Sequence, residues 1–247
     1  MRFFIEISYK GTNYHGWQVQ PNATSIQSEI NKALSTILNI KTKVTGAGRT
    51  DTGVHAKQMF AHFDYLQELD INESISRLNR VLPADIVIHN IYKVHEDSNC
   101  RFDAISRTYN YYIIQKKDSF NTDAYIIYKR LDLIAMNEAS LFLLGKKDFT
   151  SFSKKNTQNR TNDCHVMFAK WEQKEEKLIF TIKADRFLRN MVRAIVGTLL
   201  KVGAGKILPK DINTIIAKRD RCSAGVSVPA NGLFLSEIEY PTHTFND

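Results

Sequence analysis

The N-terminal part of the chain alternates short apolar strands with longer amphipathic segments. Residues 2–9 alternate in polarity and are rich in β-forming side chains, which predicts a strand. Apolar residues then recur at helical spacing over 24–39, and Thr24 with Gln27 has the spacing of a capping box. The patterns that follow predict, in order, strands at 42–46 and 58–65, a helix over 71–81 and a strand over 85–96. The predicted order of elements is βαββαβ.

The rest of the chain repeats this order without a detectable sequence repeat. Its patterns predict a strand over 106–115, a helix over 134–145, a hairpin around the polar turn at 173–176, helices over 187–202 and 209–220, and a strand over 233–240. Each half fits a ferredoxin-like α+β plan, and such halves bind ligands in the cleft between them. We predict two packed halves, 1–103 and 104–247, because no low-complexity linker separates them.

The composition excludes several classes of protein. The chain has 247 residues, of which 43% are hydrophobic and 24% charged, the balance of a globular protein with its own core. No apolar run approaches the roughly 18 residues that a membrane helix needs, and charges interrupt the apolar N-terminal stretch, so no signal peptide is expected. Cys100, Cys164 and Cys222 are scattered singly, which fits a reducing cytoplasm and argues against structural zinc.

The net charge of +8 makes nucleic acid a candidate partner, although the position of the charge matters more than its sum. Around the predicted helix over 187–202, Arg186, Arg189 and Arg193 lie three and four residues apart and would share one helix face. Like charges at this spacing cost about a few tenths of a kcal/mol per pair, which indicates an anionic partner such as RNA phosphate or an internal carboxylate. A solvated basic face is the alternative.

A second basic region lies over 145–160, where lysines that include Lys154 and Lys155 alternate with Phe149 and Phe152. The basic groups could hold phosphates while an aromatic ring accepts a base. Alternatively, the two rings could pin the segment to the core. The residues alone do not separate these two interpretations.

Tyrosines on the predicted strand over 106–115 also have two interpretations. Tyr109 and Tyr111 lie on one face of that strand, because alternate side chains of a strand point the same way. Paired tyrosines in a strand are normally packing residues, and the residues alone favour packing here. A phenol near a carboxylate could also move a proton.

The loop over 45–56, TGAGRTDTGVHA, is the main candidate for chemistry. It sets Arg49, Asp51 and His55 among three glycines, which allow positive φ or close approach of the backbone. Arginine, aspartate and histidine handle phosphate and protons, whereas a tight turn with solvated polar residues is the alternative. The sequence has no metal-binding histidine spacing, P-loop, strand-linked GxGxxG or GxSxG elbow, so we predict neither a metal nor a nucleotide cofactor.

Six segments in register over nearly the whole chain resemble the tRNA pseudouridine synthase A (TruA) family. They are ISYKGTNYHGWQ with QPNATSIQ, GAGRTDTGVHA, RFDAISRTYNYYI, DFTSF, FLRNMVRAIVG and ANGLFLSEIEYP. The main departures are Thr52, where the family usually has alanine, and the residues that flank VSVPANGL. Neither departure changes a charged or nucleophilic group.

The resemblance implies the isomerisation of uridine in tRNA to pseudouridine, which needs no redox cofactor, metal or nucleotide. The base must leave the stack, so a basic cleft should accept a flipped nucleotide and exclude water. Asp51 matches the catalytic aspartate, as nucleophile or as base, and His55 is left as loop scaffold. The other matches are Arg49, which helps flip the nucleotide, Tyr109, which stacks on the base, Arg193, which pairs with the aspartate and keeps it ionised, and Leu233, which packs near the base.

The resemblance further implies two ferredoxin-like halves with a joined, mainly antiparallel mixed sheet and a central basic cleft. It implies a cytoplasmic homodimer that modifies uridines 38 to 40 in the anticodon stem-loop, with tRNA as the partner and no membrane. We expect the substrate-binding residues to be Tyr109, Leu233, Arg189, Lys154 and Lys155. Two other functions are weighed against this one, namely a non-catalytic RNA-binding protein and a carboxylate-dependent nucleosidase that releases free uracil.

Overall fold

The computed structural model describes residues 1–154 and 160–245, which form two compact units. One unit contains residues 1–105 together with the chain from Leu235 onward, and the other contains Ser106–Phe234. Helices and mostly antiparallel strands make up both units, so the predicted α+β class with a mainly antiparallel mixed sheet is confirmed. The division into two halves, 1–103 and 104–247, stays a prediction.

The first unit has the predicted βαββαβ order. Its elements are β1 (Arg2–Tyr9), α1 (Ile26–Leu38), β2 (Thr45–Gly46), β3 (His55–Asp64), α2 (Ile71–Val81) and β4 (Ile86–Val94). The strands lie in the order β4-β1-β3-β2, and each neighbouring pair is antiparallel. This is the strand order of a ferredoxin-like fold, and it places the loop between β2 and β3 at one end of the sheet.

One face of β1 is buried, and so is Phe4 on the other face, which explains why the C-terminal residues belong to this unit. Phe3, Ile5 and Ile7 are buried on the first face, whereas Glu6 and Ser8, on the face of Phe4, are half-buried. The ring of Phe4 packs edge-on against the rings of Tyr240 and Phe245, at centroid distances of 5.7 and 6.2 Å. The chain end therefore covers the face of the sheet on which Phe4 lies.

The predicted cap of the first helix was wrong by one residue. Ser25, not Thr24, is the N-cap, and its side chain forms the capping box with Ser28. The Gln27 side chain has another role, because its amide donates to the Val44 carbonyl at 2.8 Å and its Oε1 accepts from the Val19 amide at 3.0 Å. Gln27 thus ties α1 to the segments on either side of it.

The second unit contains one strand pair that makes its sheet mixed. Its elements are β5 (Ser106–Ile114), β6 (Tyr125–Ile126), α3 (Leu133–Leu141), β7 (Gly145–Asp148), β8 (Asp163–Lys174), β9 (Lys177–Ala184), α4 (Met191–Gly203) and α5 (Asp211–Lys218). The order β5-β9-β8-β7 is antiparallel, and β6 pairs parallel with β5. The predicted hairpin is the β8–β9 pair. The strands β6 and β7 were not predicted, and the helix predicted to reach 145 ends at Leu141.

The predicted arginine face on α4 was wrong, because this helix begins at Met191 rather than at 187. Asn190 has a left-handed backbone with φ of 67°, which interrupts the helix, and its side-chain amide donates to the Ser227 hydroxyl at 2.6 Å. Arg186 and Arg189 therefore precede the helix, and Arg193 lies within it. The four residues of the predicted core-facing stripe are all buried, but Leu188 precedes α4, and the other three lie within it, namely Val192, Ile195 and Leu199.

Candidate active site

The loop that joins β2 to β3 carries Asp51 and Arg49. Thr50 is buried, whereas Arg49 is exposed and Asp51 is half-buried. A turn follows directly, in which the Val54 amide donates to the Asp51 carbonyl at 3.1 Å and Gly53 has a φ of 77°. Asp51 therefore lies between buried Thr50 and a tight turn, and both constrain its backbone.

Residues 9–17 hold this loop through Thr50. The Tyr9 hydroxyl and the Thr50 hydroxyl are hydrogen-bonded at 2.8 Å, and the Trp17 amide donates to the Thr50 carbonyl at 3.1 Å. Tyr9 and Trp17 are themselves buried, and their rings lie 6.0 Å apart. The residue next to Asp51 is thus bonded at both its side chain and its backbone.

Two glycines outside the loop permit this close packing. A Cβ on Gly11 would lie 2.0 Å from the Val54 carbonyl oxygen, and a Cβ on Gly16 would lie 2.5 Å from the Thr50 carbonyl oxygen. Gly16 also has a φ of 87°, which favours glycine. The backbone of 9–17 thus approaches the loop more closely than any side chain would allow.

His55 fixes the far end of the loop. The side chain is fully buried, and its Nδ1 accepts a hydrogen bond from the Gly11 amide at 3.1 Å. An accepting Nδ1 requires the neutral tautomer with the proton on Nε2. This contact agrees with the interpretation of His55 as loop scaffold.

Tyr109 lies on β5 of the second unit and is half-buried. Its ring meets the ring of Phe187 edge-on, at a centroid distance of 5.1 Å and an interplanar angle of 87°. Two residues along the strand, Tyr111 is fully buried and donates its hydroxyl to the Pro229 carbonyl at 2.8 Å. Burial raises the pKa of Tyr111, so its phenol stays protonated. Tyr111 is a packing residue, and Tyr109 is the half-buried member of the pair.

Arg193 bonds to the segment 226–233, whose last residue is Leu233. The Arg193 Nε donates to the Val228 carbonyl at 2.7 Å, and the Val228 amide donates to the Arg193 carbonyl at 3.2 Å. This reciprocal pair fixes both the guanidinium and the segment that follows. Arg193 is half-buried, and Leu233, the first residue of β10 (Leu233–Glu239), is buried. The VSVPANGL segment therefore has a structural link to α4.

Two of the predicted tRNA-binding residues lie together on the second unit. Lys154 and Arg189 are both exposed, and the Lys154 amide donates to the Arg189 carbonyl at 3.0 Å. Lys155 lies outside the described residues. Phe149 and Phe152 are fully buried, so the interpretation in which they accept a base is wrong and the one in which they pin the segment to the core is confirmed.

The described residues thus present two groups of predicted site residues. Arg49 and Asp51 belong to the first unit, and the second unit carries the other described members, namely Tyr109, Lys154, Arg189, Arg193 and Leu233. Over residues 1–154 and 160–245, no three His, Cys, Asp or Glu side chains are grouped so that they could hold a metal ion. Within the same ranges, no helix is long and apolar enough to cross a membrane. The central cleft stays a prediction.

Comparisons with known proteins give consistent similarities. A family model described as tRNA pseudouridine synthase matches residues 139–241. The chain is 53% identical to tRNA pseudouridine synthase A of Bacteroides fragilis, over 99% of this chain and 98% of that protein. It is 50% identical to the protein of the same name from Bacteroides thetaiotaomicron, over 100% of this chain and 93% of that protein. The Clostridium acetobutylicum protein of that name is 39% identical, over 96% of this chain and 98% of that protein.

Proposed function

Because the chain belongs to the tRNA pseudouridine synthase A family, we propose that it modifies uridines 38 to 40 of the tRNA anticodon stem-loop, with Asp51 as its catalytic residue. The chain is a tRNA pseudouridine synthase, an isomerase. In this reaction the N1–C1′ bond breaks and a C5–C1′ bond forms. The proton lost from C5 is balanced by the proton gained at N1, so no oxidant or reductant enters.

The observation that carries the assignment of Asp51 is the support of its backbone. Thr50 is bonded at its hydroxyl and its carbonyl, and the Asp51 carbonyl accepts from the Val54 amide. A reacting group that is held in place before the substrate arrives loses little entropy in the reaction, and this saving lowers the activation free energy substantially. We assign to Asp51 the attack on the sugar or base of the flipped uridine, as nucleophile or as base.

Three further residues complete the proposed chemistry. Exposed Arg49 would hold a phosphate of the flipped nucleotide, and half-buried Tyr109 would stack on its base. The Arg193 guanidinium, oriented by the Val228 carbonyl, would pair with the Asp51 carboxylate. In this proposal buried Leu233 packs near the base.

The substrate is tRNA, and the proposed contacts to its backbone are Lys154, Lys155 and Arg189. Lysine and arginine that contact phosphates give affinity without reading sequence, which suits a catalyst that modifies neighbouring positions. We further propose that the protein acts in the cytoplasm as a homodimer.

The test is to incubate unmodified tRNA with the protein and map pseudouridine, using wild type, Asp51→Asn and Asp97→Asn. Asp97 is a matched control because its side chain, 96% exposed, lies in the same unit. We expect pseudouridine at positions 38 to 40 with wild type and Asp97→Asn, and none with Asp51→Asn, which should still bind tRNA.

Other outcomes would point elsewhere. Pseudouridine at different positions would reject the anticodon assignment alone. Activity of Asp51→Asn above a tenth of wild type would remove Asp51 from the chemistry. Release of free uracil would indicate a nucleosidase, and binding without any product would indicate a non-catalytic RNA-binding protein.

A further inference from the structure

The turn at 99–103 holds a phenylalanine out in solvent. The Phe102 side chain is 77% exposed, although its backbone is tightly fixed. The Asn99 Oδ1 accepts from the amides of Arg101 and Phe102 at 3.0 and 3.3 Å. The Asp103 carboxylate in turn accepts from the Asn99 amide at 2.6 Å. Single exposed apolar residues are common, but a fixed backbone distinguishes this one from a ring on a loose loop.

Cys100 anchors this turn to the start of the catalytic loop. The residue is fully buried, its thiol donates to the Thr45 carbonyl at 3.1 Å, and its amide donates to the His62 Nδ1 at 3.3 Å. The Cys100 carbonyl also accepts from the Tyr240 hydroxyl at 2.5 Å. Thr45 begins β2, which leads directly into the loop of Asp51. Phe102 therefore projects from a turn fastened to the same segment as the catalytic aspartate.

Arg101 gives the exposed ring a cationic neighbour. Its guanidinium carbon lies over the Phe102 ring, 5.5 Å from the centroid. A guanidinium on one face of a ring leaves the other face to a second planar group, and arginine is the side chain best suited to phosphate. Aromatic rings beside basic groups are the means by which proteins hold unstacked nucleotides.

We propose that Arg101 and Phe102 form a binding site for one unstacked nucleotide of the tRNA, separate from the uridine that reacts. The base stacks on the Phe102 ring, and the Arg101 guanidinium contacts a phosphate. This proposal rests on the action of the chain on tRNA. It differs from the assignment of Asp51, because it concerns affinity rather than chemistry.

The observations favour RNA over a second copy of this chain as the occupant. A stable interface between proteins buries about 800 Å² on each partner, around an apolar centre. Within residues 95–110, which the structure describes in full, the exposed large apolar side chains are Phe102 and Ile105. The residue next to Phe102 is the charged Arg101. A single ring with one cation suits a nucleotide better, and the net charge of +8 favours an anionic partner.

The affinity test compares substitutions of Phe102 by equilibrium binding of unmodified tRNA. Phe102→Ala and Phe102→Leu should each raise the Kd about tenfold, because leucine keeps apolar volume but has no π-face to stack on. Phe102→Tyr should restore binding. Leu66→Ala is the matched control, since Leu66 is 89% exposed in the same unit, and it should bind tRNA as wild type does. Arg101→Ala should lower the slope of log Kd against log salt by about 0.7–0.9.

A spectroscopic test detects the stacking directly. Because the wild type already has two tryptophans, its response to tRNA is the reference: Phe102→Trp should show additional emission that tRNA quenches, whereas the additional emission of Leu66→Trp should not respond. An unchanged Kd in Phe102→Ala, or wild-type binding by Phe102→Leu, would overturn the stacking site. A change of sedimentation mass in Phe102→Ala would also overturn it, in favour of an interface between copies. Because pseudouridine formation is followed in the same variants, loss of this site would leave the assignment of Asp51 intact.

Discussion

Replacing Gly11 by alanine should lower the catalytic rate, although Gly11 is not among the residues proposed to contact the substrate. The alanine Cβ would lie 2.0 Å from the Val54 carbonyl oxygen and 2.8 Å from the Val54 carbonyl carbon. Ordinary carbon–oxygen contacts begin near about 3.3 Å, so one of the two segments must move by roughly 1 Å or more. The obstructing atoms are backbone, and no side-chain rotation relieves the clash.

That displacement acts on Asp51 through its immediate neighbours. Moving residue 11 away lengthens the hydrogen bond from its amide to His55 Nδ1, and moving Val54 disturbs the turn that begins at Asp51. A misplacement of about 1 Å in a reacting group can cost roughly 10²-fold in rate. Overpacking of this kind also costs about 1–3 kcal/mol of folding free energy, or roughly 2–12 °C in Tm for a chain of this size.

The assay is multiple-turnover pseudouridine formation at saturating tRNA, with tRNA affinity and Tm measured on the same protein samples. We expect kcat to fall about 10²-fold while the Kd for tRNA changes little, because phosphate contacts dominate affinity. Gly48→Ala is the control, since a Cβ there would meet no atom within 4 Å. If Gly11→Ala kept the wild-type rate and Tm, the close approach of 9–17 would not be what fixes the loop.

Three further changes test other parts of this account. His55→Leu should lower kcat and His55→Asn should recover part of it in the same turnover assay, because the asparagine amide oxygen can take the place of Nδ1 as acceptor for Gly11. Lys154→Ala should lower the slope of log Kd against log salt by about one unit or less for every tRNA tested, and selective loss of one tRNA would contradict a backbone contact. Burial lowers the pKa of His62 below 6.5, so the unfolded chain binds its proton first and stability should fall as pH drops below that value. His62→Asn should remove this component from denaturation curves between about pH 7 and pH 5, and an unchanged pH dependence would exclude His62 as its source.

The sequence predicted the first unit well because its signals were local. Alternation in β1 and helical spacing in α1 and α2 are set by which side chains must be buried, and every element of the βαββαβ order was recovered. The strands β6 and β7 escaped prediction because they are short and carry no period of their own. Gly145–Asp148 reads GKKD, and its strand geometry comes from pairing with β8.

The arginine pattern near α4 failed for a backbone reason. Spacing alone put Arg186, Arg189 and Arg193 on one helix face, but Asn190 adopts a left-handed conformation that delays the helix to Met191. Asparagine tolerates this conformation better than most residues, so the signal was present in the sequence. What the sequence could not show was the contact with Ser227, which lies 37 residues away and whose hydroxyl accepts a hydrogen bond from the Asn190 side-chain amide.

The same distinction explains what the resemblance supplied and what it left out. Residue types and family motifs single out Asp51 and Arg49, because the chemistry of a carboxylate and a guanidinium is evident from the residue type alone. The support of the loop cannot be recognised from residue types, because it consists of backbone atoms of Thr50 and Val54 that the backbone at Gly11 and Gly16 approaches closely. Glycine acts here through the absence of a Cβ, which leaves room for a backbone carbonyl. Only the three-dimensional structure shows which carbonyl lies there. Substituting glycines in 9–17 is therefore a sharper probe of preorganisation than substituting Asp51, because replacing Asp51 removes the carboxylate proposed to react and leaves its support in place.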